Sequence, residues 1–202
     1  VLISAMSLCL LLKTNNEFIS LLAALVTVAG KYFFRFNGDH IFNPSALGIV
    51  VVLLFANNAW LSPGQWGSNA VVFFLVATLG TIVITKVQRL DISLTFLLTY
   101  IGLLYWRQVI YLHWPIDFFF HSVSSGSLLL FSFFMISDPK TAPNHQVARI
   151  IWAVLIAVAA FYLSVFKWQY NTLIWVLVAA APLVPVFNKV FKAGSYQWNP
   201  SP

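Results

Sequence analysis

The stretch Ile150 to Phe161, IIWAVLIAVAAF, is apolar on every side. A strand of a transmembrane barrel alternates polar with apolar residues, and a surface helix keeps one polar face, so a run without either pattern points to a helix surrounded by hydrocarbon or by other helices. Val71 to Ala77 has the same character. The whole chain agrees: 60% of residues are hydrophobic, 8% are charged and the mean hydropathy is +0.87. Soluble domains are about one-quarter charged, and a chain of this length cannot bury so much apolar surface in a water-soluble core. The fold class expected is therefore an all-α integral membrane protein.

Outward from that run, polar breaks recur at about the length a helix needs to cross the hydrocarbon. They divide the chain into about eight segments: Val1 to Leu12, Phe18 to Phe34, Ser45 to Trp60, Asn69 to Thr85, Ile92 to Trp106, Pro115 to Ile136, Val147 to Phe166 and Asn171 to Phe187. Val1 to Leu12 reads as the end of a first span rather than as a signal peptide. Residues 1–192 form a single transmembrane helical domain, and Ala193 to Pro202 an irregular tail. The lone cysteine, Cys9, excludes an internal disulfide.

Lysines and arginines give the orientation. Lys31, Arg35, Lys86, Arg89, Lys140, Arg149, Lys189 and Lys192 fall on one side, and Lys13, Arg107 and Lys167 on the other. The richer side is cytoplasmic by the positive-inside rule, which puts both termini there. Trp60, Trp66, Trp106, Trp114 and Trp168 form an aromatic belt on the opposite face. The loop from Asn57 to Gly67, with Pro63, Gly64 and no charge, is an outer turn. Because the net charge of +6 is spread over short loops, it does not suggest nucleic acid. The partners expected are the lipid bilayer and other subunits of a membrane complex.

Two motifs interrupt the apolar pattern: FNPSALG at Phe42 to Gly48 and MISDPKTAP at Met135 to Pro143. Asn43 can cap the helix that Pro44 opens, since proline has no N–H to lose in a first turn. Pro139 pushes Asp138 out of the α region, so the preceding helix should end there. Two readings follow. Asn43, Pro44, Ser45, Asp138 and Pro139 could surround a ligand, because a helix start inside a cavity holds an anion or carbonyl and a carboxylate at a break holds a cation or proton. Alternatively, both motifs are cytoplasmic caps that satisfy backbone groups near lipid. Asn144 and His145 look like the cap of the seventh helix. Arg35, Asp39 and His40 could meet lipid head groups or a partner.

His113, Asp117 and His121 are spaced i, i+4, i+8 and could form a proton or ion relay, although Pro115 interrupts a continuous helix. His121 is the best placed of the three, because SVSSGS, Ser122 to Ser127, follows it and permits close helix approach or lines a cavity. No soluble-enzyme motif and no metal-ligand spacing free of proline occurs.

The sequences GKYFFRFNGDHIFNPSALG (Gly30 to Gly48) and FFMISDPKTAP (Phe133 to Pro143) resemble a family of membrane subunits. It comprises the D subunit of the Rnf electron-transport complex and the B subunit of the sodium-translocating NADH:quinone reductase. The likeness spans roughly Lys13 to Phe166, and WLSPGQWG (Trp60 to Gly67) is similar to the branch described as enediyne-biosynthesis-type membrane proteins. The resemblance implies a bundle with two related halves, in a bacterial inner-membrane complex that passes electrons through flavins and couples them to ion movement. Family members usually have about ten helices, and those that carry covalent FMN attach it to the threonine of an S-G-A-T string. That string is absent, and Thr78, Thr81, Thr85, Thr95 and Thr99 stand in unrelated contexts. Two functions stay open: a redox subunit with noncovalent flavin or quinone near Asn43, Ser45 and Asp138, or a cofactor-free transporter, channel or scaffold that holds a partner complex.

Overall fold

The structure, a computed structural model, describes residues 2–36, 38–56, 58–62 and 70–194, with side chains from residue 4 onward except those of 70–73. Pro63, Gly64 and Trp66 of the expected outer turn, and residues 195–202 of the expected tail, lie outside the described residues. Ten α-helices run in chain order: α1 (Leu2–Leu11), α2 (Glu17–Phe33), α3 (Pro44–Phe55), α4 (Ala70–Val87), α5 (Leu90–Tyr105), α6 (Ile116–Val123), α7 (Gly126–Leu130), α8 (Gln146–Phe166), α9 (Thr172–Ala180) and α10 (Val184–Val190). They overlap the expected hydropathic segments without keeping their bounds, and the larger departures have local causes.

The third segment was expected to stay helical to Trp60, but α3 stops at Phe55. Ala59–Leu61 (β4) instead pairs antiparallel with Leu12–Thr14 (β1), placing Leu12 opposite Leu61. A second small hairpin pairs Arg35–Phe36 (β2) with Asp39–His40 (β3). It turns at Gly38, whose φ of +89° suits a residue without a Cβ. The helical bundle thus carries two short β-ribbons that the all-α expectation did not contain.

The sixth segment, expected to run unbroken from Pro115 to Ile136, bends by 48° between α6 and α7. Ser124 ends α6, with its backbone N–H and its hydroxyl both donating to the Phe120 carbonyl. Ser125 starts α7 by accepting the Leu128 N–H on its side chain. Competition of serine hydroxyls with the helix ladder is a common origin of such breaks. After α7 the chain widens into a π-helical turn, Phe131–Met135. The eighth segment is bent more gently by Pro182 and Pro185, through a 3₁₀ turn at Ala181–Leu183.

Gln146–Phe166 and Thr172–Val190, with mean hydropathies of 2.2 and 1.9, are long and apolar enough to cross a membrane; the bent pair Ile116–Val123 with Gly126–Met135 makes a third if counted as one span. Helices α2 and α3 pack so closely that a Cβ on Gly48 would run into the Thr27 hydroxyl and come within 2.7 Å of the Ala23 carbonyl. A Cβ on Gly30 would approach Leu47 Cδ2 to 2.5 Å. Small residues at such crossings let helix backbones meet when no water drives association. The core is built around Phe96, Phe131, Met135, Trp152 and Ile156 from α5, the π turn and α8.

Candidate functional site

Asn43 caps α3 as its sequence context suggests. Its Oδ1 accepts from the Ala46 N–H at 3.2 Å and from the Ser45 hydroxyl at 2.8 Å. Its Nδ2 donates to the carbonyl of Met135 at 3.3 Å, in the other motif. That carbonyl ends the π turn, where widening leaves backbone oxygens without their usual i+4 partners. The Ser132 carbonyl is met in the same way, by the hydroxyl of Ser93 on α5 at 2.7 Å. Side chains from two helices therefore satisfy the irregular turn, and both are buried.

The MISDPKTAP turn is folded by Asp138. Its carbonyl accepts from the N–H groups of Thr141 and Ala142, each at 3.1 Å, and its Oδ1 accepts from the Lys140 N–H at 3.1 Å. Its Oδ2 lies 3.4 Å from His40 Nε2. Lys140 Nζ reaches back to Asp39 at 3.0 Å, so the β2–β3 hairpin is latched to the turn at two points. Arg89, 3% exposed, donates to the Pro143 carbonyl at 2.8 Å and faces the Pro139 carbonyl at 3.5 Å. Arg149 binds the Asn144 carbonyl at 2.7 Å and forms an ion pair with Asp91 at 2.6 Å. The His145 side chain accepts from the Val147 N–H, which makes it the cap of α8.

Between the two motifs lies a cavity of about 320 Å³. Its polar wall includes Asn43, Ser45, Ser137 and Asp138, with Pro44 and Pro139 beside them. Lys31, Arg35 and Lys140 supply positive charge, His40 adds an imidazole, and Val83, Ile84, Val87, Phe133 and Phe134 form an apolar wall. All five residues singled out in the two motifs thus border one space. The space thus pairs apolar faces with hydrogen-bonding edges.

Of His113, Asp117 and His121, the last two lie one turn apart on α6 and the first lies off that helix. His113 lies ahead of Pro115 with a φ of +53°, whereas Asp117 and His121 sit on α6, and all three are exposed. Among the described residues no group of three or more His, Cys, Asp and Glu side chains could hold a metal ion.

Sequence reasoning missed the Arg89 clamp and the Asp91–Arg149 pair. Their partners lie 50 or more residues away, and a basic residue in a short loop reads first as an orientation signal.

No curated protein matches the chain. The family model described as NQR2, RnfD, RnfE matches residues 54–197, which takes in MISDPKTAP but begins after FNPSALG and extends beyond Phe166. With more than half of the sequence matched, the chain belongs to the NQR2, RnfD, RnfE family, whose members are membrane subunits of ion-coupled electron-transport complexes.

Proposed function

We propose that the chain holds a flavin or a quinone noncovalently between its helices, as one subunit of a complex that couples electron transfer to ion movement. The observation that carries this reading is the cavity in which Asn43, Pro44 and Ser45 meet Asp138 and Pro139. Its apolar wall suits a ring system, and its hydroxyls and carboxylate suit carbonyl or ring-nitrogen edges. The chain lacks the S-G-A-T string, so noncovalent binding is the mode left to it. When bound, such a ligand supplies the electron chemistry, while the residues around it orient it and exclude water. Electrons then pass to partner subunits.

In this reading the bundle crosses the bacterial inner membrane about eight times, with both termini cytoplasmic. The uneven distribution of lysine and arginine supports that orientation. It also has two related halves, each with a short capped helix: α3 behind Asn43 and α7 behind Ser125.

A cofactor-free transporter, channel or scaffold is favoured by one observation. Asn43 spends both of its side-chain polar atoms on the protein itself, which a cap and tether require without any ligand. The two readings separate when the full-length chain is purified gently from its native membrane, precipitated with acid and extracted with organic solvent. Flavin or quinone in the extract, in a fixed ratio to protein, is the expected result; a preparation yielding neither would leave the scaffold reading.

A further inference from the structure

Lys31 and Arg35 border the cavity without an acidic partner. Among the described residues, which include all five acids of the chain, Asp39 pairs with Lys140, Asp91 pairs with Arg149 and Asp138 meets His40; neither Lys31 nor Arg35 meets an acid. Arg35 is nevertheless held in place. Its Nε donates to the Lys31 carbonyl at 2.9 Å, and its guanidinium lies 5.2 Å from the centre of the Tyr32 ring. The remaining guanidinium nitrogens are free to form a fork toward an oxyanion. Lys31, in the last turn of α2, is half-buried one helical turn away.

We propose that this end of the cavity binds the phosphate of an anionic phospholipid, between Lys31 and Arg35, with its acyl chains outside the cavity beside the exposed rings of Tyr32, Phe33 and Phe34. Exposed apolar surface beside the cations argues for an amphiphile, since free phosphate would leave it uncovered. Tyr32, Phe33, Phe34 and Phe36, all exposed beside the two cations, add the aromatic surface expected at head-group depth. Basic residues near an anionic leaflet attract anionic head groups, so two of them side by side select anionic over zwitterionic lipid. The polar wall at Asn43, Ser45 and Asp138 is left to the redox ligand.

Delipidated full-length protein in neutral detergent, followed by thermal unfolding, tests this. Phosphatidylglycerol should raise the Tm, while phosphatidylcholine and inorganic phosphate at the same concentration should not reproduce the rise. The K31Q/R35Q variant should lose most of the rise, and K31R should keep it. An equal response to phosphatidylcholine, full reproduction by phosphate, or an undiminished response in K31Q/R35Q would overturn the proposal. If the double variant does not fold, native mass spectrometry of the wild type decides: preferential retention of phosphatidylglycerol over phosphatidylcholine supports the site, and equal loss of both overturns it. None of these readouts depends on flavin or quinone content, so this site and the redox reading fail separately.

Discussion

Asn43 does two things at once, and only one of them is written in its neighbourhood. Asn followed by Pro before an apolar run identifies a helix cap without further information. The donation from Nδ2 to the Met135 carbonyl joins residues 92 positions apart, and no local pattern encodes it. The same holds for His40 against Asp138 and for Arg89 against the Pro143 carbonyl. Replacing Asn43 with alanine removes the cap, at about 1 kcal/mol, and orphans a buried carbonyl, at about 1–3 kcal/mol. Asn43→Ala should therefore lower thermal stability in detergent by more than a simple cap loss. Asn43→Asp keeps the acceptor but not the donor and should fall between alanine and wild type. Equal stability of all three would show that the tether contributes nothing.

At the scale of elements, the positions of the helices were legible and their lengths were not. Hydropathy and capping residues located α2, α5 and α8 to within two residues, because removing apolar surface from water and satisfying helix ends are both local demands. The stop of α3 at Phe55 depends on β4 finding β1, a pairing of three residues on each side that is too short to show alternation. The break between α6 and α7 lies in Ser124 and Ser125, whose small polar side chains read equally well as helix packing. Close approach of α2 and α3 yields a sharp expectation. Gly48→Val must separate the helices at Thr27 and Ala23, and overpacking of this kind costs about 1–3 kcal/mol. Gly102→Ala in α5 is the control, because a Cβ there meets nothing within 4 Å. Thermal unfolding should show a loss for the first and none for the second; the reverse order would contradict the described packing.

For the molecule as a whole, few charges and many exposed apolar side chains go together. Phe18, Phe33, Phe55 and Leu98 are each more than 70% exposed, which a water-soluble surface would not tolerate in this density but a bilayer solvates. Several of its buried polar side chains, among them His40, Asn43, Ser45, Ser137 and Thr141, gather where its two proline motifs meet. The lysine and arginine distribution led to the expectation that both motifs face one side of the membrane, but their convergence on one cavity depends on the start of α3 meeting the end of the π turn, where Asn43 donates to the Met135 carbonyl. The central claim is that this cavity holds a redox ligand through Asp138, and the most direct test compares wild-type and Asp138→Asn protein for flavin or quinone released per chain and for Tm. The asparagine retains the acceptor for the Lys140 N–H and removes the charge, so the fold should survive. Ligand content should drop about tenfold, corresponding to a loss of about 1.4 kcal/mol of binding free energy, at an unchanged Tm; full ligand content with a lowered Tm would contradict the claim and leave Asp138 as the cap of a turn.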